Sequence, residues 1–187
     1  MPDLSGILTF LRRAEAMKDT LRSGYTSTGR QESVAAHTWR LALMATVLAP
    51  AYPDVDTERL LKMLIVHDLG EAIHGDIPAP EQESGNHKSG QERADLLDLT
   101  ETLPNDTRRE ILALWDEYEA AESPEAKLAK ALDKLETILQ HTQGDNPPDF
   151  DYAFNLEYGS DYTDVDPLVR ELRAILDEET RRLAEEG

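Results

Sequence analysis

The 187-residue sequence contains no cysteine. This excludes a disulfide framework, a zinc site with thiolate ligands and catalysis by a thiol nucleophile. Basic residues are also scarce: 19 lysines and arginines stand against 38 aspartates and glutamates, and the formal net charge is −19. Because nucleic-acid polymers and anionic membranes bind through Lys and Arg, we expect neither as a partner. The negative charge should also repel a phosphate-ester substrate, so binding one would need a metal ion and a few arginines placed at the site to make the local potential positive.

Long apolar runs are absent as well, and no stretch of the sequence is long enough to span a bilayer. The first residues, Met1 to Leu4, lack the basic and apolar regions of a signal peptide. We therefore expect a soluble, cytoplasmic protein. With 40% hydrophobic residues, the length suits one domain with a real core and is short for two.

Apolar residues recur at helical spacing along most of the chain, and no convincing strand alternation is present. The pattern predicts an all-α, single-domain bundle of about six or seven helices. Arg22 to Thr26 is expected to be a loop, Gln82 to Gly90 a polar loop, and the next helix is expected to start near Glu92. The clearest helix-start signals are Ser33, Asp56 or Thr57, and Ser123 followed by Pro124.

The residues most able to perform chemistry lie at three places. His67 and Asp68 are adjacent at the end of an apolar run, His37 lies mid-helix, and Asp133 lies mid-helix between leucines. Helical neighbours do not share a face, so the His-Asp pair needs partners from elsewhere in the chain. Two imidazoles and two carboxylates suit a divalent ion with positions left open for water. Taken singly, each residue also has a purely structural explanation, such as a satisfied histidine or a salt-bridge partner.

The order of an isolated His, a His-Asp pair and a later Asp resembles the HD-domain metal-dependent phosphohydrolases. The stretches 22–25, 32–37, 67–78 and 114–119, followed by 123–134, resemble the branch that contains the 5′-deoxynucleotidases. This resemblance runs from about residue 5 to about residue 142. It implies a single HD domain over residues 1–187, with its core at about 5–142 and an acidic loop and C-terminal helix at 143–187.

The resemblance also implies roles for individual residues. The metal ligands of the family fall on His37, His67, Asp68 and Asp133. The catalytic acid falls on Glu71, the arginine that meets the substrate phosphate on Arg22, and the acid that meets the sugar 3′-hydroxyl on Asp76. Ser23 stands where some members have a tryptophan that can pack on the substrate. The implied cofactor is one divalent ion, which could be Mn²⁺, Co²⁺, Fe²⁺, Zn²⁺ or Mg²⁺, and the implied assembly is a homodimer.

The expected activity is therefore that of a divalent-metal-dependent phosphomonoesterase. It would hydrolyse (deoxy)nucleoside 5′-monophosphates to nucleoside and phosphate. One alternative is an HD phosphohydrolase that acts on another nucleotide or phosphoester, although a triphosphate would need more cationic groups than these motifs offer. The other is a non-catalytic HD ligand-binding module, which predicts the loss of a metal ligand or of Glu71, and neither is lost.

Overall fold

Eight α-helices and one antiparallel β-ribbon account for most of the residues that this computed structural model describes, which are 3–76 and 87–186. In chain order the elements are α1 (Leu4–Arg13), β1 (Leu21–Tyr25), β2 (Gln31–Ser33), α2 (Val34–Leu48), α3 (Thr57–Val66), α4 (Glu71–His74), α5 (His87–Leu99), α6 (Asn105–Ala120), α7 (Pro124–Gln143) and α8 (Pro167–Glu186). The predicted helical bundle is confirmed. No helix within these ranges combines the length and apolarity needed to cross a membrane.

Helix α7 is the central element of the bundle. It packs against α2, α3, α6 and α8, and β1 lies along it. Leu132, Leu135 and Ile138 are fully buried in the apolar core. Asp133 and Glu136 of the same helix are buried as well. Because buried charged groups are costly unless they are paired, these two acids mark the part of α7 that does more than pack.

Side-chain caps fix where the site-bearing helices begin. Ser33 Oγ accepts a hydrogen bond from the Ala36 N–H at 3.3 Å, and the Asp56 carboxylate accepts one from the Arg59 N–H at 3.0 Å. Ser123 Oγ caps α7 in the same way. Such caps satisfy N–H groups that have no partner within the helix. The predicted starts of α2, α3 and α7 are thereby confirmed.

The sequence-based expectation of a loop at Arg22 to Thr26 is wrong. Leu21–Tyr25 pairs antiparallel with Gln31–Ser33 in a short ribbon. The ribbon escapes pattern recognition because its burial does not alternate and because side chains from elsewhere hold it. Gln140 of α7 donates to the Tyr25 carbonyl at 2.5 Å, for example. A two-stranded ribbon is marginal alone and needs such packing.

One helix boundary also differs from expectation. Helix α5 begins at His87, earlier than the expected start near Glu92. Residues 87–90 of the expected polar loop therefore belong to this helix, whereas residues 82–86 lie outside the described part of the chain. Helix α1 ends at Arg13 and is followed by a 3₁₀ segment, Ala14–Lys18.

Candidate metal centre and active site

All four predicted metal ligands meet in one place. His37 Nε2 lies 3.1 Å from Asp133 Oδ1 and 3.9 Å from Asp68 Oδ2. His67 Nε2 lies 3.1 Å from Asp68 Oδ2 and 3.8 Å from Asp133 Oδ1. His37, His67 and Asp133 are buried, and each offers a ligand atom within 4.8 Å of the others. Helices α2 and α7 and the turn after α3 therefore converge on one cluster of donor atoms.

The hydrogen bonds of the two histidines test whether this cluster fits a metal ion. His37 Nδ1 donates to the Glu136 carboxylate, and His67 Nδ1 donates to the Leu64 carbonyl at 2.7 Å. Both Nε2 atoms are buried, and neither makes a hydrogen bond of acceptable geometry within the described residues. A donating Nδ1 leaves the Nε2 lone pair facing the cluster, which is the arrangement of a metal-binding histidine. The residues present therefore fit a divalent ion.

The electrostatics of the cluster favour a cation. Burial opposes ionisation of Asp133, but the nearby Lys134 and the close contact with His37 outweigh it and hold the pKa of Asp133 well below its ordinary value. Burial likewise opposes ionisation of Asp68, yet His67 and Arg22 lower its pKa. Burial and Arg22 disfavour protonated His37, but Glu136 and Asp133 raise its pKa to about 9. A metal ion entering near neutral pH would therefore displace a proton from His37.

Several side chains that sequence reasoning missed hold the cluster in place. Glu136 accepts from Arg40 Nε at 2.5 Å in addition to His37. Asp133 Oδ2 accepts from the Tyr118 hydroxyl at 2.8 Å and from Lys134 Nζ at 2.9 Å. The available signal was spacing, because Glu136 follows Asp133 by three residues and therefore lies on a neighbouring helical face. The residue of α2 that this face contacts depends on how the two helices pack, and no local sequence pattern predicts it.

Arg22 reaches the cluster from the β-ribbon. Its guanidinium contacts Asp68 Oδ2 at 3.4 Å and donates to Thr137 Oγ1 of α7 at 3.1 Å. Burial disfavours the cationic form, but the charges of Asp68 and Asp76 outweigh this effect and raise the pKa of Arg22. A guanidinium offers paired donors that match phosphate oxygens. A phosphate-binding cation and a metal-ligand set therefore share one largely buried site.

Glu71 follows the His-Asp pair through a 3₁₀-type turn. The Leu69 N–H donates to the Val66 carbonyl, and the Glu71 N–H donates to the Asp68 carbonyl at 2.9 Å. With three residues per turn, residues three apart lie above one another, so Glu71 shares a face with Asp68. Glu71 is buried. A Cβ at Gly70 would lie 2.5 Å from the Glu92 carbonyl oxygen of α5, so only glycine permits this close approach.

Asp76 is the last residue described before the gap and is half-buried. Its charge is one of those that raise the pKa of Arg22, so it lies near that guanidinium. Ile77 and Pro78 of the motif lie outside the described residues. Each of the seven predicted site residues is therefore in or beside one cluster, and their individual roles remain predictions.

Comparison with known proteins identifies the family. The model of the family described as "HD domain" matches residues 14–173. The curated protein 5′-deoxynucleotidase HDDC2 of Mus musculus is 36% identical over 141 residues, covering 74% of this chain and 70% of that protein. The 5′-deoxynucleotidase HDDC2 of Homo sapiens is 37% identical over 139 residues, covering 73% and 67%.

A solved structure is also similar over nearly the whole chain. It is named as a predicted metal-dependent phosphohydrolase from Magnetospirillum magnetotacticum MS-1. It has a TM-score of 0.83 and 30% sequence identity, and the match covers 97% of this chain and 94% of that one. The resemblance seen in the sequence is thus confirmed, and the chain belongs to the HD domain family.

Proposed function

We propose that this chain is a divalent-metal-dependent phosphomonoesterase that hydrolyses (deoxy)nucleoside 5′-monophosphates to nucleoside and phosphate. The single observation that carries this proposal is the contact between Arg22 and Asp68 at 3.4 Å. It joins a cation suited to phosphate with a metal-ligand set in one buried site. The names of the curated relatives, 5′-deoxynucleotidase, support the nucleotide substrate.

In this proposal one divalent ion is held by His37, His67, Asp68 and Asp133. When bound, such an ion makes water acidic enough to act as a nucleophile near neutral pH and neutralises charge on a phosphoryl oxygen. Glu136 and the Leu64 carbonyl keep the two Nε2 atoms aimed at the cluster. Nitrogen and oxygen donors accept Mn²⁺, Co²⁺, Fe²⁺, Zn²⁺ or Mg²⁺, so the donor set leaves the choice to metal availability.

The protein residues divide the remaining tasks. Arg22 binds two phosphate oxygens through its paired donors and stabilises charge that develops on them. Glu71, one 3₁₀ turn after Asp68, orients the attacking water and takes its proton. A P–O bond forms to the water as the bond from phosphorus to the sugar 5′ oxygen breaks, and Glu71 returns the proton to that oxygen. Asp76 accepts a hydrogen bond from the sugar 3′-hydroxyl.

A substrate panel tests this function. The protein is stripped with a chelator and supplied with Mn²⁺, Co²⁺ or Mg²⁺. Phosphate release is then measured from nucleoside mono-, di- and triphosphates in ribo and deoxy forms. We expect metal-dependent release from 5′-monophosphates alone. Release only from larger nucleotides, or none from any nucleotide in metal-loaded protein, would overturn the proposal.

We further propose a homodimer. Trp39, Leu43 and Val47 follow one another at helical spacing on α2 and are 67%, 46% and 69% exposed. An apolar stripe of this kind is typical of an interaction surface. A Trp39→Glu variant should elute as a monomer in light-scattering chromatography, and a monomeric parent protein would contradict the proposal. The single-domain extent of residues 1–187 and the cytoplasmic location also stay predictions.

A further inference from the structure

Lys134 is a second cation at the edge of the metal-ligand cluster. Its ammonium lies 2.9 Å from Asp133 Oδ2, while Asp133 Oδ1 faces the two imidazoles. Oδ2 already accepts a hydrogen bond from the buried Tyr118 hydroxyl. The lysine is therefore a second donor to this oxygen. Its ammonium carries three N–H donors, and the contact with Asp133 uses one of them.

The segment that follows α7 fixes the direction of this side chain. Gly159 has a φ of +66°, and a Cβ added there would lie 2.5 Å from Lys134 Cγ. The lysine stem thus packs directly on the glycine backbone. The Tyr158 hydroxyl lies 3.2 Å from the ammonium. The stem and the head of Lys134 are therefore both held by one short piece of chain.

That piece of chain is itself anchored by a buried arginine. Arg173 of α8 donates to the backbone carbonyls of Asn155, Leu156 and Tyr158 at 2.8–2.9 Å. These contacts tie residues 155–158 to α8, which packs on α7. A flexible lysine would lose considerable rotamer entropy in such a setting. The fold therefore fixes this ammonium at the cluster instead of leaving it in solvent.

We propose that Lys134 is a second phosphate-binding residue, which acts together with Arg22; this rests on the proposed phosphomonoesterase function. Each cation contacts one proposed ligand: Arg22 contacts Asp68 Oδ2, which also faces the imidazoles, and Lys134 contacts Asp133 Oδ2, which is turned away from them. A divalent ion that shares the charge of these carboxylates weakens their attraction for both cations. A dianionic phosphate monoester then supplies new partners, and a lysine binds it as a point charge.

The test uses inorganic phosphate as the probe, because its binding needs no turnover. Its affinity is measured by calorimetry on Co²⁺-loaded protein freed of excess metal. Lys134→Met should weaken phosphate binding about tenfold, the order expected for one charge-assisted hydrogen bond. Lys134→Arg should restore most of the affinity. Lys127→Met is the matched control, because Lys127 is an exposed lysine of the same helix, and it should bind phosphate like the parent.

Two results would overturn the assignment. In the first, Co²⁺-loaded Lys134→Met binds phosphate as tightly as the parent protein. In the second, Lys134→Met fails to take up Co²⁺ at saturation, so that the lysine supports Asp133 alone. Neither result depends on release from nucleotides. If no nucleotide releases phosphate but phosphate binding still depends on Lys134, the proposed substrate is wrong and the proposed role of Lys134 is retained.

Discussion

Replacing Glu136 with glutamine should weaken metal binding although all four proposed ligands remain. Glu136 is fully buried, and its carboxylate accepts from His37 Nδ1 and from Arg40 Nε. This contact keeps His37 Nε2 directed at Asp133 Oδ1, 3.1 Å away. Glutamine preserves the volume, but its amide nitrogen is a donor, so one of the two donors loses its acceptor.

The expected loss of metal affinity follows from the burial of the Glu136 carboxylate. Loss of the partner that orients a metal-bound histidine typically costs about 10–100-fold in metal affinity. This corresponds to about 1.4–2.7 kcal/mol. We expect the upper part of that range, because Glu136 has no access to water that could replace the lost acceptor.

Calorimetric titration of the metal-free variant with Co²⁺ measures the effect. A pH of 9, at the raised pKa of His37, keeps proton competition for that imidazole small. Glu117→Gln is the matched control, because Glu117 likewise pairs with an arginine, Arg59, and its other hydrogen bond is to Ser123. An unchanged Co²⁺ affinity in folded Glu136→Gln would refute an orienting role for this carboxylate.

Asp133→Ala should lose the metal, whereas Glu71→Ala should keep it and lose about 10²–10⁴-fold in turnover. Metal analysis and phosphate release measure the two effects, and a fully active Glu71→Ala would contradict the catalytic role of Glu71. Gly159→Ala should push the stem of Lys134 aside and raise KM for a 5′-monophosphate, whereas an unchanged KM would show that the stem moves freely. Burial lowers the pKa of His141, so the unfolded chain binds its proton first as pH falls below about 6.5, and stability decreases. Thermal unfolding of metal-free protein from pH 8 to pH 5 should show a smaller loss in His141→Gln; equal losses would exclude this cause.

The residues with local signatures could be predicted from the sequence. The caps at Ser33, Asp56 and Ser123 follow from the chemistry of a helix start, and the structure confirms them. The His67-Asp68 pair could be recognised because adjacent donors at the end of an apolar run need an external partner. The family prediction, built on these spacings, is also confirmed.

The supporting contacts could not be predicted, because they depend on which helices meet. Glu136 and Arg40 are 96 residues apart in the sequence. Each is an ordinary charged residue of an amphipathic helix until α2 and α7 pack together. Lys134 has the same ambiguity, since a lysine beside an aspartate is common on solvated faces. Its direction is set by Gly159, whose positive φ has no reliable signature in an isolated sequence.

One face of α7 organises the site. Asp133, Thr137 and Gln140 recur at i, i+4 and i+7, so they lie along one side of the helix. Asp133 belongs to the ligand cluster, Thr137 accepts from Arg22, and Gln140 donates to the Tyr25 carbonyl of β1. The same helix face thus positions the metal set and also the ribbon that carries the phosphate-binding arginine. Substitutions along this face should therefore be non-additive, because each moves partners that the others also hold.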